Sequence, residues 1–198
     1  DHTLLLMCIV ALFLAEMFCY VAAFPKYQAS QVMAAVFSFL YAPVLLSFVY
    51  LTRECENGIY LVWLILISSW GCDTCAYVVG KLIGKKHIFP ELSPHKSLEG
   101  CIGGVAGAAL IGGLYAHFFV EAAFPDQIIT WTIAFICAAG AVMSMVGDLA
   151  ASAIKRNHNI KDYGKLIPGH GGIMDRFDSM TVTAPMTYFL AILMIGLR

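Results

Sequence analysis

The stretch Gln127–Gly147, QIITWTIAFICAAGAVMSMVG, carries no charged side chain, and the residue that follows it is Asp148. About twenty apolar residues are what an α-helix needs to cross the hydrocarbon of a bilayer. Five further stretches have the same character: Thr3–Phe24, Gln31–Leu51, Gly58–Leu82, Gly100–Val120 and Met180–Leu197. The strict alternation of a membrane β-barrel is absent, so helices are the spanning structure that remains. The fold expected is an all-α polytopic membrane protein with about six transmembrane helices, forming one membrane-embedded domain over residues 1–198.

Composition agrees. Of 198 residues, 60% are hydrophobic and 13% charged, and the mean hydropathy is +0.79. A soluble domain of this length needs far more polar surface. Seven cysteines are scattered, mostly inside apolar runs, as buried small hydrophobes are. Cys72 and Cys75 form a C-x-x-C, but within a hydrophobic helix and without the further ligands or soluble redox fold that zinc or thiol chemistry requires. The first apolar run lacks the basic flank and cleavage site of a signal peptide. With Asp1 at its head, the sequence reads as the later part of a longer membrane protein, with N-terminal spans missing.

Basic residues set the expected sidedness. Lys81, Lys85, Lys86 and Lys96 fall between the third and fourth spans, and Lys155, Arg156, Lys161, Lys165 and Arg176 between the fifth and sixth. The loop after the fourth span has only Glu121 and Asp126. The positive-inside bias places both basic loops in the cytoplasm. Topology and contact with anionic headgroups would account for the lysines by themselves. They do not account for the acids.

Asp73, in SSWGCDTCAY, lies well inside the third span, and Asp148 ends the fifth. Ionisable groups at such depth cost several kcal/mol unless paired, solvated or coordinating. Both spans run in the same direction, so the two aspartates arrive at similar depth. Each is read as a site residue ahead of a structural ion pair with a nearby lysine, and Asp148 more so than Asp73. Glu16, in the first span, has no evident partner and is expected to face a cavity. If the segment after Asp148 is helical, Asp148, Ser152 and Lys155 fall at i, i+4 and i+7 on one face.

Beyond them comes KDYGKLIPGHGGIMDRFDSM, Lys161–Met180. Pro168, Gly169, Gly171 and Gly172 bracket His170 and suit a turn whose backbone N–H groups converge on an anion. Asp175 and Asp178 follow at i, i+3 with Arg176 between them; acids there also suit a helix N-terminus. Hard carboxylate oxygens beside five basic side chains fit a magnesium site, which takes one or two carboxylates and completes its shell with water and phosphate oxygens. The pattern points to phosphoryl or nucleotidyl transfer on a substrate lying at the membrane surface.

The residues SAIKRNHNIKDYGKLIPGHGGIMDRFD, Ser152–Asp178, resemble the signature of the phosphatidate cytidylyltransferase (CDP-diacylglycerol synthase) family. SSWGCDTCAYVVGKLIGK resembles that family's aspartate-bearing span, and LSPHKSLEG its S-P-x-K-[ST]-x-E-G loop, with His95 and Ser97 as variations. The resemblance covers Ser68 to the C-terminus. It implies that CTP and phosphatidic acid give CDP-diacylglycerol and pyrophosphate with one or two Mg2+ ions, in a homodimer within a lipid bilayer, with no nucleic-acid partner. It implies a bacterial inner or plasma membrane and an active site facing the cytoplasm. Asp148 and Asp175 become the expected metal ligands, with Asp73 and Asp178 beside them. Lys155, Arg156, Lys165 and Arg176 would screen phosphate charge, and Ser152, Lys161, His170, Gly171, Gly172, Lys96 and Ser93 would contact substrate. The rival enzymatic reading is a CTP-dependent polyprenol or lipid kinase that transfers the γ-phosphoryl group. An ion-coupled transporter would instead need acids along a through-membrane route. Gly100/Gly104 and Gly103/Gly107 in the fourth span form a close-packing ridge, for intramolecular contact ahead of a dimer seam.

Overall fold

The computed structural model describes residues 2–90, 92–94, 96–124, 129–166 and 171–196. Among them, six helices are long and apolar enough to cross a membrane. They are α1 (Thr3–Ala22), α2 (Ala29–Glu54), α3 (Gly58–Ile83), α4 (Leu98–Ala123), α5 (Ile129–Asn157) and α6 (Met174–Ile195). No strand occurs among the described residues beyond a single bridge between His87 and Ser97. Three helices contain a π-helical turn: α2 at Leu40–Val44, which includes Pro43, α3 at Ile67–Gly71 and α4 at Ala116–Val120. Such turns are rare and recur at functional sites. The one in α3 ends two residues before Asp73.

The chain divides into two compact units, Asp1–Ser47 and Phe48–Arg198. In the first, the apolar side chains of α1 stand exposed, Leu4, Met7 and Phe18 among them, as suits contact with lipid. Glu16 lines a groove of about 310 Å³ with Tyr20, Tyr27 and Gln31.

The second unit packs α3 against α4, α4 against α5, and α5 against α6. Leu61 and Leu64 of α3, Ile133 and Ile136 of α5 and Ile195 of α6 are buried together in its main apolar cluster. The glycine ridge of α4 meets α3 of the same chain. A Cβ on Gly103 would lie 2.6 Å from the Val79 side chain, and one on Gly104 3.0 Å from Cys72 Sγ. Cys75 likewise fills the space over Gly107. The C-x-x-C pair is thus helix packing, two thiols one turn apart on the face that α4 covers, and both are free.

Two boundaries depart from the hydropathy reading, and both carry the site. Helix α5 continues ten residues past Gly147, to Asn157, and α6 begins six residues before Met180, at Met174. Backbone hydrogen bonding runs on where apolarity stops, and Lys155 in the added turns of α5 pairs with Asp175 and Asp178 in those of α6.

Candidate active site

Three helices bring their acids to one place. Asp73 and Thr74 of α3, Asp148 of α5, and Asp175, Arg176, Asp178 and Ser179 of α6 line a polar cavity of about 330 Å³ with Trp70. Trp70 ties two of these helices together, since its indole N–H donates to the Arg176 carbonyl at 3.2 Å. Its ring also packs against Phe177, at 6.0 Å between centroids.

Lys155 stands at the centre of the charge network. Its ammonium, from the last turns of α5, lies 3.0 Å from Asp175 Oδ1 and 3.6 Å from Asp178 Oδ2, with the lysine side chain 12% exposed. The other Asp175 oxygen accepts the backbone N–H groups of Tyr163 at 2.8 Å and Gly172 at 2.9 Å. Asp178 Oδ1 accepts the Ser179 N–H at 2.8 Å. Of the turn expected to gather N–H groups around an anion, the described Gly172 donates to the chain's own Asp175. Gly171 has φ +83°, in the left-handed region that glycine alone enters without strain. A Cβ on Gly172 would come within 2.9 Å of the Gly164 nitrogen, so backbone meets backbone there.

Lys96 completes the ring of charge, 2.5 Å from Asp148 Oδ2. The loop that delivers it is tied at several points. Glu99 Oε2 accepts the N–H groups of Lys85 and Lys86 at 3.1 and 3.2 Å. The Leu98 N–H donates to the Lys86 carbonyl, and the Ile88 N–H to that of Lys96. Ser97 caps α4 by accepting the Gly100 N–H at 3.1 Å. A Cβ on Gly100 would lie 2.8 Å from the Ala76 carbonyl. Within S-P-x-K-S-x-E-G, then, the lysine faces the site while serine, glutamate and glycine fold the loop that holds it.

The remaining expected residues are placed differently. Ser152 and Lys155 do lie on α5 beyond Asp148, but Ser152 does not line this cavity. Arg156, Lys161 and Lys165 are exposed. Ser93 contributes a backbone turn, its N–H donating to the Phe89 carbonyl and its carbonyl accepting from the Lys96 N–H. His170 lies outside the described residues, as do Pro168 and Gly169. Tyr163 was not anticipated. Besides its N–H to Asp175, its ring lies 5.2 Å from Lys155 Nζ and its hydroxyl donates to the Ala151 carbonyl. Burial, with the nearby Asp178 and Asp175 charges, pushes its phenol above the usual range. Trp70 and Thr74 were also missed; their signal was spacing, one at i−3 and one at i+1 from Asp73.

Among the described residues, no three Asp, Glu, His or Cys side chains are gathered closely enough to cage an ion unaided. The donors are nonetheless the right kind for magnesium: hard carboxylate oxygens lining one cavity, with space for the water and phosphate oxygens such an ion prefers.

Known proteins similar to this chain are phosphatidate cytidylyltransferases. A phosphatidate cytidylyltransferase of Haemophilus influenzae is 38% identical over 139 residues, covering 70% of this chain and 48% of that protein. One from Bacillus subtilis is 36% identical over 135 residues, 68% of this chain and 48% of its own. One from Thermotoga maritima is 37% identical over 165 residues, 81% of this chain and 61% of its own. The chain spans about half the length of the first two relatives. The profile of the "Cytidylyltransferase family" matches residues 2–194, and with the six spanning helices this leaves one conclusion: the chain belongs to the cytidylyltransferase family.

Proposed function

We propose that this chain carries the catalytic part of a metal-dependent CTP:phosphatidate cytidylyltransferase, working on the cytoplasmic face of the membrane. The observation that carries the reading is the single polar cavity into which α3, α5 and α6 each bring aspartates, beside Arg176 and Lys155. The names of the relatives supply the substrates; the positive-inside bias supports the sidedness. The homodimer implied by the family resemblance is part of the proposal.

In this reaction a phosphate oxygen of phosphatidate attacks the α-phosphorus of CTP. One P–O bond forms, the bond from the α-phosphorus to the bridging oxygen breaks, and the electron pair leaves with pyrophosphate. The phosphate monoester is already anionic near neutral pH, so no strong base is needed. The difficulty is bringing two polyanions together in a place of low dielectric. Arg176 lines the cavity and supplies fixed positive charge to leaving-group oxygens. Lys155 and Lys96 are each held at the site by carboxylates and are within reach of an arriving phosphate. Asp175 holds Tyr163 and Gly172 beside the cavity through their backbone N–H groups. Asp148, with Asp73, Asp175 and Asp178, would hold one or two magnesium ions, which when bound supply Lewis-acid polarisation of phosphate oxygens.

Label placement tests the reaction. With detergent-solubilised protein, phosphatidate and magnesium, α-labelled CTP should put label into lipid, and γ-labelled CTP should release it as pyrophosphate. Label from the γ position appearing in lipid would identify a kinase instead.

A further inference from the structure

Asp73 and Asp148 form a wall between two cavities of different character. On α3 the polar cavity takes Trp70, Asp73 and Thr74, while its neighbour takes Asp73, Ala76 and Tyr77. Asp73 therefore sits where two helix faces meet. The second cavity, of about 270 Å³, is completed by Gly100 and Cys101 of α4, Met145 and Asp148 of α5, and Lys96 with Ser97. Lys96 is the one cation among its lining residues. Tyr77 marks its rim on the outside: it lines the cavity, yet is 68% exposed on a helix that crosses the membrane.

We propose that this second cavity is the lipid subsite, with Lys96 pairing to the phosphate monoester. Ala76, Tyr77, Cys101 and Met145 then flank the glycerol and the first acyl carbons, and the polar cavity is left to the nucleoside triphosphate. The assignment rests on the cytidylyltransferase reading. Three observations carry it. A polar end, where Lys96 stands with Asp73 and Asp148, and a remainder lined by Ala76, Tyr77, Cys101 and Met145 match a molecule with one anionic end and a hydrocarbon body. Exposure of Tyr77 on a helix of spanning length opens the pocket sideways, a route by which a lipid would enter without drawing its chains through water. A triphosphate entering here would lose its hydration against Ala76 and Met145 with one cation in compensation, whereas the other cavity offers Arg176 and a nearby Lys155. The shared aspartate wall then explains how the reacting phosphates meet, since each substrate reaches Asp73 and Asp148 from its own side.

Cys101 gives a direct reading of occupancy in the unmodified protein. Detergent-solubilised protein is treated with N-ethylmaleimide and labelling of Cys101 is followed by mass spectrometry. Three separate additions are compared: dioctanoyl phosphatidic acid, CTP, and glycerol 3-phosphate at the same concentration as the lipid. Dioctanoyl phosphatidic acid should slow labelling at least five-fold, and CTP or glycerol 3-phosphate less than two-fold. Protection by CTP rather than lipid, protection by neither, or equal protection by glycerol 3-phosphate would each overturn the assignment. Turnover by the same sample separates the two levels: an active preparation with unprotected Cys101 refutes the subsite alone, and an inactive one refutes the underlying reaction. Independently, Cys101→Phe should raise KM for phosphatidate about five-fold or more and leave KM for CTP within two-fold. The reverse pattern refutes the assignment.

Discussion

Replacing Lys155 by methionine keeps the length of the side chain and removes its charge. In the structure that charge sits between two carboxylates that are themselves nearly buried, the Asp175 and Asp178 side chains being 5% and 9% exposed. Breaking a buried ion pair by removing one partner costs about 3–5 kcal/mol, because the other charge is left without compensation. Here the loss falls at the lower end. Asp175 keeps two backbone N–H donors and Asp178 keeps one, so each retains part of its stabilisation. A cost of about 3 kcal/mol corresponds to a fall in melting midpoint of roughly 6–12 °C for a chain of this size. Circular dichroism at 222 nm in detergent, without added metal, reads that midpoint. Lys161→Met is the control, since Lys161 is exposed, and its midpoint should move by less than about 1 °C. If Lys155→Met melts with the wild type, the lysine is not the counter-charge of the cluster and the electrostatic account of the site fails.

Other expectations follow from the same geometry. Glu99→Ala should release the loop that carries Lys96, seen as faster hydrogen exchange at the amides of Lys85 and Lys86 and as lower turnover in a protein that still folds. Gly103→Leu should destabilise by about 1–3 kcal/mol through overpacking against Val79, read as a lower melting midpoint. Gly113→Ala is the contrasting case, because its Cβ would meet Ala134 at an ordinary 3.5 Å and the midpoint should hold. Tyr163→Phe keeps the N–H to Asp175 and loses only the hydroxyl bond to Ala151, so its midpoint should fall by no more than about 1.5 kcal/mol in equivalent stability.

Much of this molecule is legible in its sequence, for a physical reason. A lipid-facing helix must be apolar over its whole length, so six spans announce themselves, and any acid within one stands out. Asp73 and Asp148 were visible on that ground alone. The helix ends were not, because hydropathy falls at Gly147 while backbone hydrogen bonding continues to Asn157. The basic residues were the least legible. Lys155 and Arg156 are adjacent in sequence, yet one is partly buried against two aspartates and the other is exposed. Only the 3.6-residue turn separates them, and which face turns inward depends on where α6 packs. Lys96 was legible only as part of a loop pattern; its pairing with Asp148 joins residues far apart in the chain. The backbone donor of Tyr163 leaves no trace in composition at all, since every residue but proline has an N–H.

The most direct measurement of the central claim is the rate at which Asp148→Asn and Asp175→Asn move label from α-labelled CTP into phosphatidate. Each variant would be assayed with magnesium and with circular dichroism confirming that it is folded. If acids from α5 and α6 serve one centre, both variants should lose at least about a hundred-fold in rate, on the scale of removing one electrostatic stabiliser. Turnover near that of the wild type in either folded variant would contradict the account.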